Sequence, residues 1–462
     1  MKQVGFSQAV CIIIFFVFCG AAIASAGKIR FTSLASFDGP NGNEPFYISL
    51  IQGTDGAFYG TTRYGGASNR GTIFRITAEG TLTTLYSFGG SDGEYPIASL
   101  LQGVDGDLYG TTDLGGANGH GTVFKITLAG KLTMLYNFCS RTNCADGATP
   151  FAGLVQTADG TFYGTTAEGG ANNVGTVFRI TSGGALTTLH NFDGSGGSYP
   201  YAQLVQSSNG SFYGTTFQGG ANNDGTVFKI TAGGRLTSLH SFDGTDGEEP
   251  VEALVQATDG DFYGTTKGGG AHYLGTVFKI TSGGTLTTLY TFDGDGNGEF
   301  PYDGLVQATD GDLYGTTGGA ARGDGSIFKI TTAGKLTTLY AFDGKDGDAP
   351  LGGLLQATNG TFYGTTNGGG ADGDGTVFSV AVGLGPFVET LPSSGKVGTA
   401  VIILGDNLTG ASGVTFHGTP ANFQVVSNSE ITTKVPNGAT SGKVKVKLPS
   451  GTLLSNVIFR VR

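Results

Sequence analysis

Tryptophan is absent from this chain, methionine occurs twice and cysteine four times. Without tryptophan, 32 phenylalanines and 18 tyrosines must carry the aromatic packing. Charged residues make up 13 %, about half the usual share, and no basic cluster occurs. A net charge of −11 without a lysine or arginine patch argues against nucleic acid and against an anionic membrane surface. An acidic surface is a common solubility device of exported proteins. Long runs of helix formers are missing, which excludes bundles and coiled coils. Glycine is abundant, 85 of 462 residues, but has no three-residue period, so collagen is excluded. The 38 % of hydrophobic residues suffice for a core. Many short strands joined by tight turns fit this composition.

The N-terminus has the pattern of a secretory signal. Lys2 supplies positive charge, Val10 to Phe18 an apolar stretch, and Ala24-Ser25-Ala26 a small-x-small cleavage site. The apolar run is short for a membrane span, and no second run follows. Cys11 and Cys19 belong to this leader. Phe18 before Cys19 departs from a lipoprotein site. Cys139 and Cys144 remain in one loop, and an oxidising compartment would pair them as a disulfide. A secreted or cell-surface location follows as an expectation.

The phrase Tyr-Gly-Thr-Thr recurs seven times, beginning at Tyr59, Tyr109, Tyr163, Tyr213, Tyr263, Tyr314 and Tyr363. The spacing is 49 to 54 residues, and the longest interval holds the cysteine loop. Each unit reads as four strands: Leu-apolar-Gln, an Asp-Gly or Asn-Gly turn, Phe/Leu-Tyr-Gly-Thr-Thr, a glycine-rich loop, then two further strands. The Asp-Gly and Asn-Gly pairs predict two-residue hairpin turns with positive φ at both positions. Four-stranded units of this length match propeller blades. The first three strands occur seven times, but the fourth follows only six of them. The missing copy stands at the front of the chain, Phe31 to Asp38. The sequence therefore predicts an all-β protein: a seven-bladed β-propeller over 27–384, its N-terminal strand closing the last blade, after a signal peptide over 1–26. An immunoglobulin-like β-sandwich over 385–462 follows, where composition shifts toward valine and lysine.

The unit Leu-Val-Gln-x-x-Asp-Gly-x-Phe-Tyr-Gly-Thr-Thr-x-x-Gly-Gly-Ala-x-x-x-Gly-Thr-Val-Phe-Lys-Ile resembles the GloVer tandem repeat of "choice-of-anchor" exported bacterial proteins. The resemblance covers residue 28 to about 383 and implies export more than any activity. Pro392 to Thr399, Ile403 to Leu408 and Val414 to Ala421 resemble an IPT/TIG domain. That resemblance implies an immunoglobulin-like fold used as a spacer or adhesion module.

A catalytic centre should break the repeat symmetry, and no catalytic constellation shows in the sequence. His190 and His240 occupy positions that hold tyrosine in other units, which makes them packing substitutes. His120 and His272 lie in glycine-rich loops, and His417 in the sandwich. No nucleophile elbow, zinc helix motif or sialidase box is present. The recurrent Gly-Gly-Ala loop joins two strands and so is no phosphate cradle. No cofactor is expected, apart from calcium. Its weak candidate loop is Asp293, Asp295 and Asn297, which has oxygen ligands at alternate positions but Gly304 where a bidentate Glu would stand. The recurrent glutamines (Gln52, Gln102, Gln156, Gln206, Gln256, Gln307, Gln356) read as bonds between blades rather than as a ligand ring. Arg322-Gly323-Asp324 reads as a chance tripeptide. Variable loops on a rigid frame remain, with Arg63, Tyr64, Asp113, Leu114, Phe217, Gln218, Lys267, His272 and Tyr273 as candidate ligand-face residues. A glycan or a protein is the expected partner. A polysaccharide-acting enzyme would instead show acids with perturbed titration clustered on one face, and a purely architectural envelope protein would show neither.

Overall fold

A computed structural model describes residues 29–319 and 323–462. The expected leader, with Cys11 and Cys19, and Arg322 of the tripeptide lie outside them. Among the described residues the chain is all strand and turn, except for one 3-10 turn at Thr142–Cys144.

Six four-stranded antiparallel sheets run in sequence order, the first being Ile51–Gln52, Phe58–Thr62, Thr72–Ile76 and Leu82–Ser87. The seventh has the order Arg30–Ser36, Thr376–Ala381, Phe362–Thr366, Leu355–Gln356. Its outer strand comes from the N-terminus, as the repeat count predicts. The register matches as well. Each sequential blade carries a bulge between its third and fourth strands, as at Val277/Phe278. The N-terminal strand repeats it between Ser33 and Ala35 opposite Val377 and Phe378. These seven sheets are the propeller blades.

Cores form between blades, not within them. Tyr59, Ile73 and Phe88 of the first blade pack with Leu100, Leu108, Phe124 and Ile126 of the second. The closing seam is built alike, with Phe37, Tyr363 and Val377 against Ile48, Leu50, Phe58 and Phe74. The glycine of Tyr-Gly-Thr-Thr is required for this. A Cβ on Gly60 would lie 2.6 Å from the Phe74 ring and 2.8 Å from Leu50.

The hairpin turns differ from the expectation in one respect. Gly56 has φ +81°, but Asp55 keeps an ordinary negative φ, and this holds at the equivalent turns. Each is a tight turn followed by a left-handed glycine, not a turn with two positive φ values. The reason is the side chain's second task. Asp55 Oδ1 accepts from the Ala57 N–H at 3.1 Å, and Oδ2 accepts from the buried Tyr59 hydroxyl at 2.9 Å. Asp105, Asp259 and Asp310 hold Tyr109, Tyr263 and Tyr314 in the same way. Asn209 and Asn359 donate to Tyr213 and Tyr363.

Six of the seven recurrent glutamines bond across blades. The Gln102 carbonyl accepts from the Thr54 N–H at 3.0 Å, and the series closes where Gln52 accepts from Thr358 N–H at 2.9 Å. Four of the side-chain amides also donate to their own turn, as Gln256 does to Gly260 O at 3.0 Å. The amides are thereby used up in structure.

Beyond Leu384 the strands Glu389–Leu391, Ala400–Leu404, Glu430–Lys434 and Phe423–Val425 form one sheet, and Thr419–Ala421, Gly413–Phe416, Val444–Leu448 and Gly451–Leu454 the other. Val401, Ile403, Val414, Phe416, Ile431 and Val446 fill the space between them. This is the immunoglobulin-like sandwich. The sandwich touches the turn end of the propeller, where Ser429 Oγ donates to Thr54 O at 2.7 Å and Phe387 N–H to Thr358 O at 2.9 Å.

Phe37→Ala should cost about 3–5 kcal/mol in denaturant unfolding, because it opens a cavity at the closing seam. A chain beginning at Pro40 should associate through the bare edge of Thr376–Ala381, seen as concentration-dependent mass by light scattering. A monomer of unchanged stability would refute the closure.

Candidate functional site at the axial mouth

Proline begins the approach to each inner strand, and the three residues after it differ from blade to blade. These segments and the loops after Tyr-Gly-Thr-Thr meet at one end of the axis: Arg63 N–H donates to Glu44 O, and Lys267 N–H to Glu249 O. The sandwich contacts lie at the other end of the inner strands.

At this mouth six side chains form a closed circuit. Tyr47 lies 5.8 Å from Phe151 and 6.0 Å from Tyr302, measured between ring centroids. Phe151 lies 4.7 Å from Tyr201, and Tyr201 5.0 Å from Phe217. The Lys267 ammonium stands over both Phe217 and Tyr302, at 5.9 and 5.6 Å. It also bonds Glu249 at 3.0 Å. Phe46 packs at a tilt against Tyr47, centroids 4.0 Å apart, and carries the Arg63 guanidinium over its face at 4.9 Å. All are half-buried, so each ring is held by neighbours while part of it stays open.

The circuit breaks the sevenfold symmetry, because the second, fifth and seventh blades offer Ile97, Val251 and Leu351 at the ring position. Below it two carboxyls interrupt a row of small and apolar residues. Glu252 and Asp303 stand where other blades have Ile48, Ala98, Ala152, Ala202 and Gly352. Burial pushes both carboxyls well above the usual carboxylate range, and for Glu252 the charge of Asp303 adds to it. Tyr47 is raised by burial and then by Tyr302, Glu252 and Asp303, with Arg63 opposing. Asp113 is pushed up to about 6 by burial, opposed by Arg63 and assisted by Glu168.

Of the residues expected on the ligand face, Arg63, Phe217 and Lys267 belong to this assembly, and Asp113 lies beside Arg63. Tyr64 stands outside the circuit, edge-on to Tyr95 at 5.2 Å and under Arg63. Gln218 pairs through its backbone with Ser198. His272 and Tyr273 sit on an exposed loop tip with no ring contact to the circuit, Tyr273 being 72 % exposed. Sequence reading missed Phe46, Tyr47, Phe151, Tyr201, Glu252, Tyr302 and Asp303. Their signal was present: aligned on the inner-strand Leu-x-Gln, these are positions that vary.

The other candidates have structural surroundings. His240 Nε2 meets Asp246 Oδ2 at 2.7 Å, as Tyr86 OH meets Asp92 at 2.5 Å. His190 is lowered by burial. Cys139 and Cys144 are joined as a disulfide. In the Asp293 loop, Asp295 N–H donates to Asp293 Oδ1 at 3.1 Å, both carboxylates are exposed, and Asn297 bonds Tyr290.

The repeat region matches the family model for the Gloeobacter/Verrucomicrobia repeat over residues 23–210 and 182–378. Residues 387–460 match the IPT/TIG domain. No curated protein matches the chain. Among solved structures it is similar to the extracellular domain described for a hybrid two component system of B. thetaiotaomicron. The identity is 12 % and the TM-score 0.51, over 94 % of this chain and 58 % of that one, so the chain spans little more than half that structure's length. It is also similar to a Bacteroides fragilis protein described as a 6-phosphogluconolactonase, at 21 % identity and TM-score 0.43, over 65 % of this chain and 84 % of that one. The first likeness speaks to fold alone.

Raised carboxyl pKa values fix a sign for pH dependence. An acid favoured in its protonated form by folding stabilises below its unfolded pKa and ceases to do so as pH rises through its folded pKa. The Asp113 contribution should be lost between about 4 and about 6, and that of the acid pair continues the loss higher. Urea midpoints measured in EDTA should therefore fall over this range. Asp113→Asn and Asp303→Asn should each flatten the profile, and a flat wild-type profile would contradict the assignment.

Proposed function

We propose that this chain, which belongs to the Gloeobacter/Verrucomicrobia repeat family, is an exported, non-enzymatic binding protein of the cell surface or its surroundings. The axial mouth of its propeller is the ligand face, and its IPT/TIG domain is a spacer or attachment module. The closed circuit of Tyr47, Phe151, Tyr201, Phe217, Lys267 and Tyr302 carries this reading. Half-open aromatic rings from several blades gather there, and it departs from the repeat where a purely architectural ring would have no need to. Aromatic faces beside fixed polar groups suit a sugar ring, with a protein surface as the alternative partner. The sandwich's contacts at the opposite end leave the mouth free for a large ligand.

The buried carboxyl pair favours a second reading. Two acids with displaced titration near one mouth are what a polysaccharide-acting enzyme would require.

A glycan array probed with residues 27–462 tests the first reading. Saturable binding should appear, and Tyr47→Ala or Phe151→Ala should weaken it at least ~10-fold, which corresponds to about 1.4 kcal/mol. Tyr273→Ala, outside the circuit, should leave it unchanged. New reducing ends released from a bound glycan, and abolished in Glu252→Gln, would transfer the assignment to the enzymatic reading. Binding that ignores both circuit variants would refute the site.

A further inference from the structure

Glu252 and Asp303 lie in adjacent blades at the same register, and neither has an ion-pair partner among the described residues. Asp303 is only 4 % exposed, and its Oδ2 has no hydrogen-bond partner. Its Oδ1 accepts from Gly304 N–H, and Glu252 Oε2 accepts from Ala253 N–H at 3.2 Å. A buried Asp303 beside a half-buried Glu252, with no counter-charge, must keep its proton or take up a cation.

The surroundings favour a cation. Ser49 Oγ and Asp303 Oδ1 face the same spot on the seventh blade. A Cβ on Gly353 would lie 2.3 Å from the first and 2.8 Å from the second, so glycine there keeps the space between these oxygens open. A separate observation comes from the threonines. Thr111, Thr215, Thr265 and Thr316 each donate through Oγ1 to a carbonyl of the next blade. Thr365, fully buried beside Gly352, has an Oγ1 with no partner. The polar atoms left without a partner here, Asp303 Oδ2 and Thr365 Oγ1, are both oxygens. Carboxylates, hydroxyls and carbonyls without nitrogen or sulfur are the ligand set of hard divalent cations.

We propose that Glu252, Asp303 and Ser49 Oγ hold one divalent cation of the calcium or magnesium class on the propeller axis. Such an ion ties the fifth and sixth blades to the first. It deepens the ligand-face reading, since it forms the floor of the mouth. The test below uses no ligand, so its failure leaves that face standing.

The full chain, freed of metal with EDTA and dialysed, would be titrated calorimetrically with calcium and with magnesium chloride. One equivalent should bind saturably. Affinity should fall at least ~10-fold in Glu252→Gln and in Asp303→Asn, while Asp293→Asn leaves it unchanged. These amides keep the shape and remove a buried charge, so the metal-free variants should melt no lower than the wild type. Terbium supplies a readout independent of the acid variants. The chain has no tryptophan, so emission excited through tyrosine should appear on terbium binding and be lost when excess calcium displaces it. No binding at millimolar calcium and magnesium would overturn the site. So would binding that survives both acid variants, which would place the ion elsewhere.

Discussion

The antiparallel pairing of Arg30–Ser36 with Thr376–Ala381 is the constraint on which the rest depends. A propeller blade cannot bury its two faces alone, and each core here is shared by two blades. An open row of seven would leave two faces and two edges bare. Letting the first strand of the chain finish the last sheet makes the seventh seam the same as the other six. Phe37 enters that seam as Phe88 and Phe138 enter theirs.

Closure also fixes the axis. The inner strands are only two residues long. They are held in place by side chains: glutamine amides across blades at one end, threonine hydroxyls to neighbouring carbonyls near the other. This arrangement asks little of the residues just after each proline. Several of them, Tyr47, Phe151, Tyr201 and Tyr302, stand half-open at the mouth, and the chain differs from blade to blade there. The rigid part is symmetric and the chemically distinctive part is not. That division is what a scaffold carrying a site on its loops requires.

The repeat, its period, the permuted strand and the later sandwich were all legible, because a sevenfold phrase such as Tyr-Gly-Thr-Thr reports equivalent surroundings directly. The turn conformation was not. Asp-Gly suggested two left-handed residues, but only the glycine is left-handed, and in every blade the Asp or Asn oxygen instead accepts from the N–H two residues on. The site was half legible. Variation singled out Arg63, Phe217 and Lys267, but also His272 and Tyr273, which project away on a loop tip. Tyr47 and Phe151 belong to the first and third blades, about a hundred residues apart, and no local pattern announces that their rings meet.

The sequence by itself determined the number of blades, their strand order, the closing strand and the nature of the second domain. Each of these follows from a pattern repeated along the chain. Only the tertiary structure decided which variable residues share a mouth, and that Asp303 is buried beside Glu252 with no basic partner for either among the described residues. The reason is geometric. A ring brings corresponding positions of every blade to one axis, so residues far apart in sequence become neighbours there. What distinguishes them is whom they face across the ring, which a linear pattern does not record.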